Sequence, residues 1–363
     1  MARFLSLEKE VFGLDISDLS LKIIKLKKRG DFFSVTSYNH MDIPSGIIEK
    51  GVIKKEDDLV KIIIAACKNA KGQKLNTRYV ISSLPEERSF LQVIQMPTME
   101  PEELRLAVPF EAENYIPLPM DDVYLDFEIT TPAKNHVNHL DVLIAAMPKK
   151  IVNSYVSCLK KAGLVPVALE VEGEAIARAL IKDDNSIAPV VLIDFGKNGT
   201  DFIVFAGHSI QFTCSIPISS HQLTQVIAKA LQIETRKAEK LKMKFNLDIP
   251  AKDARSKKIF LAMEPILNEL TNQIKKYLNF YQEHASHGHR DVPETIQKIF
   301  ICGGGANLQG LTGFLSQKLH VTAELKDFWA NVSSRQLQDG VNKNFLSFAT
   351  ALGLALRGFK NSE

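Results

Sequence analysis

Alternating and short apolar runs dominate the start of the chain. Val11 to Ile16 reads as a buried strand ending near an aspartate, Asp15. Leu21 to Leu26 and Phe32 to Tyr38 alternate as antiparallel strands joined through Arg29-Gly30-Asp31, a turn sequence in this setting. Asp57 to Ala70, opened by acids and closed by Lys71-Gly72, has the spacing of an amphipathic helix, and Arg78 to Ser83 returns as a strand.

The pattern changes after Pro85. A strand from Ser89 to Met96 precedes a helix starting at Pro101-Glu102-Glu103, where proline fits the first turn and acids face the positive end of the dipole. Pro109 inside that helix predicts a kink or a late restart, and Pro117 and Pro119 stop it. Strands at Val123 to Thr130 and Leu140 to Ala146 complete what reads as a small inserted α+β unit. A helix from Lys149 to Ala162, a strand from Val165 to Val171 and a helix to Leu180 follow, and Lys182 to Ser186 is the best interdomain boundary on composition.

The second half opens on Val191-Leu-Ile-Asp194-Phe-Gly196-Lys197-Asn198-Gly199-Thr200-Asp201, a degenerate copy of the Asp15 stretch. In both copies a strand ends at an aspartate, a turn follows, and a polar residue (Lys22 or Asp201) stands seven positions on. Helices are expected from Ser220 and Thr235. A long one over Ile259 to His284 carries Met263, Ile266, Leu267, Leu270, Ile274, Tyr277, Leu278 and Tyr281 on one face, a core-packing stripe. A strand ending in Gly303-Gly304-Gly305, a helix over Leu308 to Lys318 and a last helix over Phe345 to Leu356 close the chain.

Composition narrows the classes. At 363 residues, 45% hydrophobic and 24% charged, the chain has the material for two or more compact domains. Its 45 basic and 42 acidic residues are dispersed, which gives no nucleic-acid or lipid surface. No run approaches the ~18 apolar residues of a membrane span, so no direct membrane insertion is expected. Cys67, Cys158, Cys214 and Cys302 are far apart in apolar surroundings and read as buried reduced thiols of a cytoplasmic protein. His284, His287 and His289 have no patterned acid or cysteine near them and read as a solvated loop, not a metal site.

Three turns carry the candidate chemistry. Asp15 and Asp194, ending strands from opposite halves, can share a hydrated Mg²⁺, which prefers carboxylate and phosphate oxygens. Ser17 to Ser20 and Gly196 to Gly199 offer amides and hydroxyls to phosphates, and Lys22 can reach the phosphates or an ion pair between the halves. Gly303, Gly304 and Gly305 let backbone approach a ligand that side chains would keep away.

This set resembles the actin-like ATPase superfamily, whose pattern is G-x-D-x-[GS]-x-x-x-x-K, then D-x-G-x-x-x-T-D, then G-G-G-A. It resembles more narrowly the PilM family of type IV pilus assembly. That match rests on Glu111-Ala-Glu113-Asn-Tyr115-Ile116-Pro117-Leu-Pro119, on Ile216-Pro217-Ile218 with Gln222-Leu223-Thr224, and on Ala351-Leu-Gly353-Leu-Ala-Leu-Arg357. The resemblance implies two ribonuclease-H-like domains around a nucleotide cleft, with an FtsA-type 1C insertion. Subdomain 1A would be 1–84 and 149–187, 1C 85–148, 2A 188–225 and 297–363, and 2B 226–296. It implies ATP and Mg²⁺ as cofactors, with Ser17, Ser20, Lys22, Gly196, Lys197, Asn198, Gly199, Thr200 and the three glycines on the nucleotide and Asp15 and Asp194 on the metal. It further implies a groove between 1A and 1C, with Glu111, Tyr115, Ile116 and Pro117, for the cytoplasmic N-terminal tail of a PilN-like inner-membrane protein. Other pilus platform proteins and a homo-oligomer are the remaining expected partners, with the chain peripheral to the inner membrane.

Ser17 replaces the usual glycine of the first phosphate loop, Lys197 a usually small residue of the second, and Glu172-Gly173-Glu174-Ala175 an E-P-x-A stretch. Glu172 is the candidate for orienting an attacking water. These departures bear on hydrolysis, which the sequence leaves open, more than on binding. A small-molecule kinase of the same superfamily would need a base for a substrate hydroxyl, and none stands out. An FtsA-type membrane-associated filament would need a C-terminal amphipathic helix, whereas the residues after Arg357 are short and polar.

Overall fold

The computed structural model describes residues 9–30, 32–130, 139–249, 253–285, 296–326 and 345–360. The predicted loop with His287 and His289 lies outside them, as does the His284 side chain.

Strands β1 (Phe12–Ser17), β2 (Ser20–Arg29) and β3 (Phe32–Asp42) form the antiparallel start of the first sheet. A small ribbon, β4 (Ile48–Glu49) with β5 (Val52–Ile53), leads to α1 (Glu56–Lys68), which has acids in its first turn and a lysine in its last. The short β6 (Lys71–Gly72) edges β3, and β7 (Tyr79–Leu84) pairs parallel to β1. The first sheet is completed from later in the chain, in the order β11-β7-β1-β2-β3-β6.

Next come β8 (Phe90–Pro97), α2 (Pro101–Ala112), β9 (Val123–Thr130) and β10 (His139–Pro148). Helix α2 starts with a capping box between Glu100 and Glu103 and runs through Pro109 without restarting. Burial of Leu104, Val108 and Ala112 in a local core with Ile94, Val142 and Ile144 holds the proline turn in place. This unit stays out of the first sheet. Its strand β8 instead meets β14 of the second half through the pair Phe212↔Gln92.

Helix α3 (Lys149–Lys161), β11 (Val165–Val171) and α4 (Glu172–Leu180) return to the first half. The second sheet is built on β12 (Ser186–Phe195), β13 (Thr200–Gly207) and β14 (Ser209–Ile216), then α5 (Ser220–Leu231), α6 (Thr235–Lys242) and the long α7 (Ala254–Ala285). Helix α7 buries Met263, Leu267, Leu270, Ile274 and Leu278, so the periodic stripe is core. Strand β15 (Lys298–Cys302) leads through the glycine turn to α8 (Leu311–Leu319), β16 (Thr322–Leu325) and α9 (Ala349–Lys360). Helix α8 begins at Leu311, later than its apolar pattern suggests, because Gly310 adopts a left-handed φ of 79° just before it. The second sheet runs β16-β15-β12-β13-β14-β8-β10-β9.

The C-terminal helix α9 joins the two halves. It lies on β1, where a Cβ on Gly13 would come within 2.4 Å of the Ala351 carbonyl oxygen. On its other side it crosses α4 so closely that a Cβ on Gly353 would sit 1.8 Å from the Ala175 carbonyl oxygen. Beside this crossing, Arg178 donates to both oxygens of the buried Glu170 at 2.7 and 2.5 Å, and Arg357 adds a third contact at 3.0 Å. Among the described residues no helix is long and apolar enough to cross a membrane. The four cysteines are free thiols.

Candidate functional site: a cleft between two aspartate hairpins

Each copy of the repeated stretch folds as a hairpin in which the aspartate and the residue seven positions later stand directly opposite: Asp15↔Lys22 and Asp194↔Asp201. The two hairpin ends line one cavity of about 1240 Å³. Asp15, Ser17, Ser20, Lys22, Glu172, Asp194, Gly196, Lys197, Asn198, Gly199, Gly303 and Gly304 all contribute to its wall.

The first hairpin is internally bonded. Lys22 Nζ donates to Asp15 Oδ2 at 2.7 Å, and Ser83 Oγ donates to Asp15 Oδ1 at 3.3 Å. Burial works against the Lys22 charge, yet the Asp15 carboxylate and, more weakly, Asp194 and Glu172 outweigh it and raise its pKa. Ser17, in place of glycine, donates to the Ser20 carbonyl at 3.2 Å and faces the Ser20 hydroxyl at 3.0 Å. Asp18 fixes the turn by accepting from the Lys50 and Gly51 amides at 2.6 and 2.9 Å.

The second hairpin is different. Asp194 Oδ1 is sealed from solvent and has no hydrogen-bond partner among the described residues. Burial pushes its carboxyl up to about 6, partly countered by Lys22. A Cβ on Gly303 would lie 2.0 Å from that same oxygen, so glycine with φ 89° is required there. Lys197 Nζ reaches across the cleft mouth to Asp42 Oδ1 at 2.8 Å.

Two predicted contacts fall outside the wall. Thr200 is fully buried, its hydroxyl donating to the Ile218 carbonyl at 2.6 Å. Gly305 is needed for packing: a Cβ there would come within 2.5 Å of the Phe195 ring. Glu111, Tyr115, Ile116 and Pro117 lie away from the cavity, around the end of α2. Tyr115 and Pro117 are exposed, Glu111 is half-buried, and Ile116 is buried in the local core, where it packs and presents no surface to a partner.

Several cavity residues carried no motif. Glu86 follows β7 in a short 3-10 turn, and its Oε2 accepts from the Gly173 amide at 2.9 Å while its own amide donates to Glu172 Oε2 at 3.2 Å. Burial raises the carboxyls of Glu86, Glu172 and Asp201. Asp201 and Asp15 push Glu172 further, and Glu86 and Asp194 do the same to Asp201. His40, opposite Lys22 on β3, is driven to about 4 by burial and the Lys22 charge, so it is neutral at pH 7. On the far wall, Thr235, Arg236, Glu239 and Lys240 come from α6 and its approach. There the buried Lys242 donates to the Ser220 carbonyl at 2.9 Å and to Thr224 Oγ1 at 2.8 Å, and it pairs with Glu239 at 2.9 Å. The only sequence signal for these was polarity inside amphipathic stretches.

Two sheets, each offering an acidic hairpin to a shared cleft, with a glycine turn closing it, are the actin-like ATPase fold. MreB5 of Spiroplasma citri bound to ADP shares that fold, at TM-score 0.56 and 11% identity over 98% of this chain and 97% of that one. Residues 13–359 match the family described as type IV pilus assembly protein PilM, and the chain belongs to that family. A solved structure of a PilM-PilN type IV pilus biogenesis complex contains a chain 27% identical to this one, with TM-score 0.79 over 97% of this chain and 99% of that one. The cell division protein FtsA of Pseudomonas aeruginosa is 24% identical over 224 residues, 57% of this chain and 51% of that protein. The match to FtsA of Buchnera aphidicola covers 45% of that protein, so the chain spans about half the length of the curated relatives it matches.

Proposed function

We propose that the cleft binds a nucleoside triphosphate with Mg²⁺, and that the chain is a nucleotide-dependent scaffold of the type IV pilus inner-membrane platform. In this reading it works in the cytoplasm and captures the N-terminal cytoplasmic tail of a PilN-like membrane protein. The observation that carries the nucleotide half is the Asp194 carboxylate in the wall of a large cavity, with one of its oxygens lacking a hydrogen-bond partner among the described residues. A buried carboxylate oxygen without a donor is costly to ionise, and a cation supplies what it lacks.

The residues fit the group. Among the described residues no cluster of three or more His, Cys, Asp or Glu is arranged to hold a metal by itself. Mg²⁺ takes one or two carboxylates and completes its shell with phosphate and water, and Asp194 in the cavity wall would supply a carboxylate. Asp194 is the better direct ligand, because both oxygens of Asp15 are already engaged by Lys22 and Ser83. Asp15 would serve with Lys22 as a balancing pair beside the ion. A bound cation would also lower the carboxyls of Asp194, Asp201 and Glu172. Burial first, and then the neighbouring Asp201 and Asp15 charges, hold Glu172 well above the usual carboxylate range, and a cation beside it would favour the charged form that a base needs, which ties any hydrolysis to metal loading. The Glu86 amide and carboxylate brace Glu172 and the start of α4.

When bound, the nucleotide would bridge the halves through its phosphates, Ser17 and Ser20 from one side and Gly196 to Gly199 from the other. Fixing the angle between the halves would set the shape of the tail-binding groove. The partner half of the proposal is supported by family membership and by the likeness to a chain solved in a PilM-PilN complex. Tyr115 and Pro117 remain the surface candidates for that groove.

Equilibrium dialysis with ATP and Mg²⁺ tests the core of this reading. Saturable, Mg²⁺-dependent binding is expected, with loss on Asp194→Ala. Absence of binding to the unaltered protein would end it. Retention of a synthetic PilN N-terminal peptide, with and without ATP, tests the partner half separately.

A further inference from the structure

Lys197 sits in the β12–β13 turn and Asp42 at the end of β3, 155 positions apart, yet their side chains meet at 2.8 Å across the mouth of the cleft. The Lys197 backbone is held on both sides. Gly196 donates to the carbonyls of Asp194 and Gly199 at 3.1 and 2.9 Å, while the Ser220 and His221 amides at the start of α5 donate to the carbonyls of Gly196 and Lys197 at 3.0 and 3.3 Å. Only the flexible four-carbon arm is left to move. Its ammonium lies over the cleft: its charge contributes to the lowered pKa of both His40 and His221. The residue lines the large cavity and also an adjoining pocket of about 490 Å³ at the mouth, together with Lys50, Arg88 and His221.

The pair that holds Lys197 is weak by construction. Asp42 is 77% exposed and Lys197 43%, so water and salt screen their attraction. A phosphate oxygen offers a lysine a charge-assisted hydrogen bond of the stronger kind. Lys22, which stands opposite Asp15 in the first hairpin, is committed to that carboxylate deep in the floor. Partial desolvation at the cleft mouth disfavours the Asp42 carboxylate, but Lys197 more than compensates and holds its pKa below the usual range.

We propose that Lys197 is the residue with which this cleft distinguishes a terminal phosphate, and that Asp42 competes for it across the mouth until a polyphosphate takes it. A triphosphate reaching toward the mouth draws Lys197 off Asp42, releasing the link between the halves. A diphosphate leaves the link in place. The inference rests on the nucleotide reading of the cleft, and the two proposals fail differently.

The test is calorimetric binding of ATP and ADP with Mg²⁺, and of inorganic tripolyphosphate, to the full chain, to Lys197→Ala, to Asp42→Ala and to the double variant. Lys197→Ala is expected to weaken ATP and tripolyphosphate about tenfold or more, the usual scale for a hydrogen bond to a charged group, and ADP far less. Asp42→Ala is expected to tighten ATP about two- to fivefold by removing the competitor, and the double variant to match Lys197→Ala. Opposite signs cannot come from misfolding of two exposed residues. Unchanged ATP affinity in Lys197→Ala, equal loss for ATP and ADP, or weakening by both single variants overturns the proposal while leaving the cleft a nucleotide site. No ATP binding by the unaltered chain overturns the nucleotide reading itself.

Discussion

Replacing Gly353 by alanine adds one methyl group at the crossing of α9 and α4. The new carbon would stand 1.8 Å from the Ala175 carbonyl oxygen, 2.5 Å from its carbon and 2.9 Å from the Ala175 Cα, all backbone atoms with no rotamer to relieve the clash. Close C···O contacts settle at about 3.3 Å, so the helices must part by roughly 1.5 Å. Helix α9 has little room to retreat, because its opposite side rests on Gly13 of β1. Parting the helices also breaks the 3.3 Å hydrogen bond from Arg178 to the Gly353 carbonyl. Overpacking of this kind costs about 3 kcal/mol, and alanine's better helix propensity returns about 1. The net of ~2 kcal/mol corresponds to a fall in melting temperature on the order of 4–8 °C. Thermal unfolding followed by circular dichroism measures it. Gly304→Ala is the control, since its nearest neighbour would be the Ser347 Cβ at 3.9 Å, and it should melt within about 1 °C of the parent. A Gly353→Ala protein melting at or above the parent temperature would show that the crossing is not as tight as the atoms require.

Arg178→Ala removes the two-pronged cation from the buried Glu170, leaving it Arg357 and the Glu174 carboxyl, and should lower stability by about 3 kcal/mol in urea unfolding. Glu174, pushed up to about 8 by burial and by the Glu170 charge, is protonated at pH 7. Its raised pKa contributes stability present in full below about 4.5 and lost as pH rises through about 8. Glu174→Gln, which mimics the protonated acid, should flatten that loss between about pH 4.5 and 8, and an unaltered slope would refute the assignment. Ile116→Asp should destabilise the 85–148 unit by about 3 kcal/mol or more because it places a charge in its core. Phe110→Asp, at a residue 75% exposed, should leave the melting temperature within about 1 °C. Asp194→Asn should keep the fold yet lose the Mg²⁺ dependence of nucleotide binding in dialysis; persistence of that dependence would move the ion elsewhere.

Much of the frame follows from short-range pattern. The alternation around Asp15 and Asp194 made two hairpins, and the seven-residue spacing to Lys22 and Asp201 became direct cross-strand pairing. The stripe on α7, the acids opening α1 and the proline opening α2 were equally readable, because each is satisfied within a few residues. Gly13 was visible as part of a motif, although its reason, the carbonyl of Ala351 on a distant helix, was not.

Distance along the chain hid the rest. Nothing local marks Glu86, which becomes a site residue only when β7 and β11 pair and bring Gly173 to its carboxylate. The join of β8 to β14 rests on Phe212 and Gln92, two residues without a distinguishing pattern. Gly305 stood beside Gly303 and Gly304 as one of three equivalent glycines. Packing against Phe195 gave it a different task. Ile116 lay in a family-like surface motif and turned inward because its neighbours left a core position to fill.

The sequence by itself determined the two acidic hairpins, the glycine turn and the family, since hydrogen-bond period and residue type act over short spans. Only the tertiary structure decided which carboxylates meet. It tied Asp15 to Lys22, left one oxygen of Asp194 without a donor among the described residues, and sent Lys197 across the mouth to Asp42. Those assignments depend on how closely two separate sheets approach, and that is set by the packing of α9 and α4 between them.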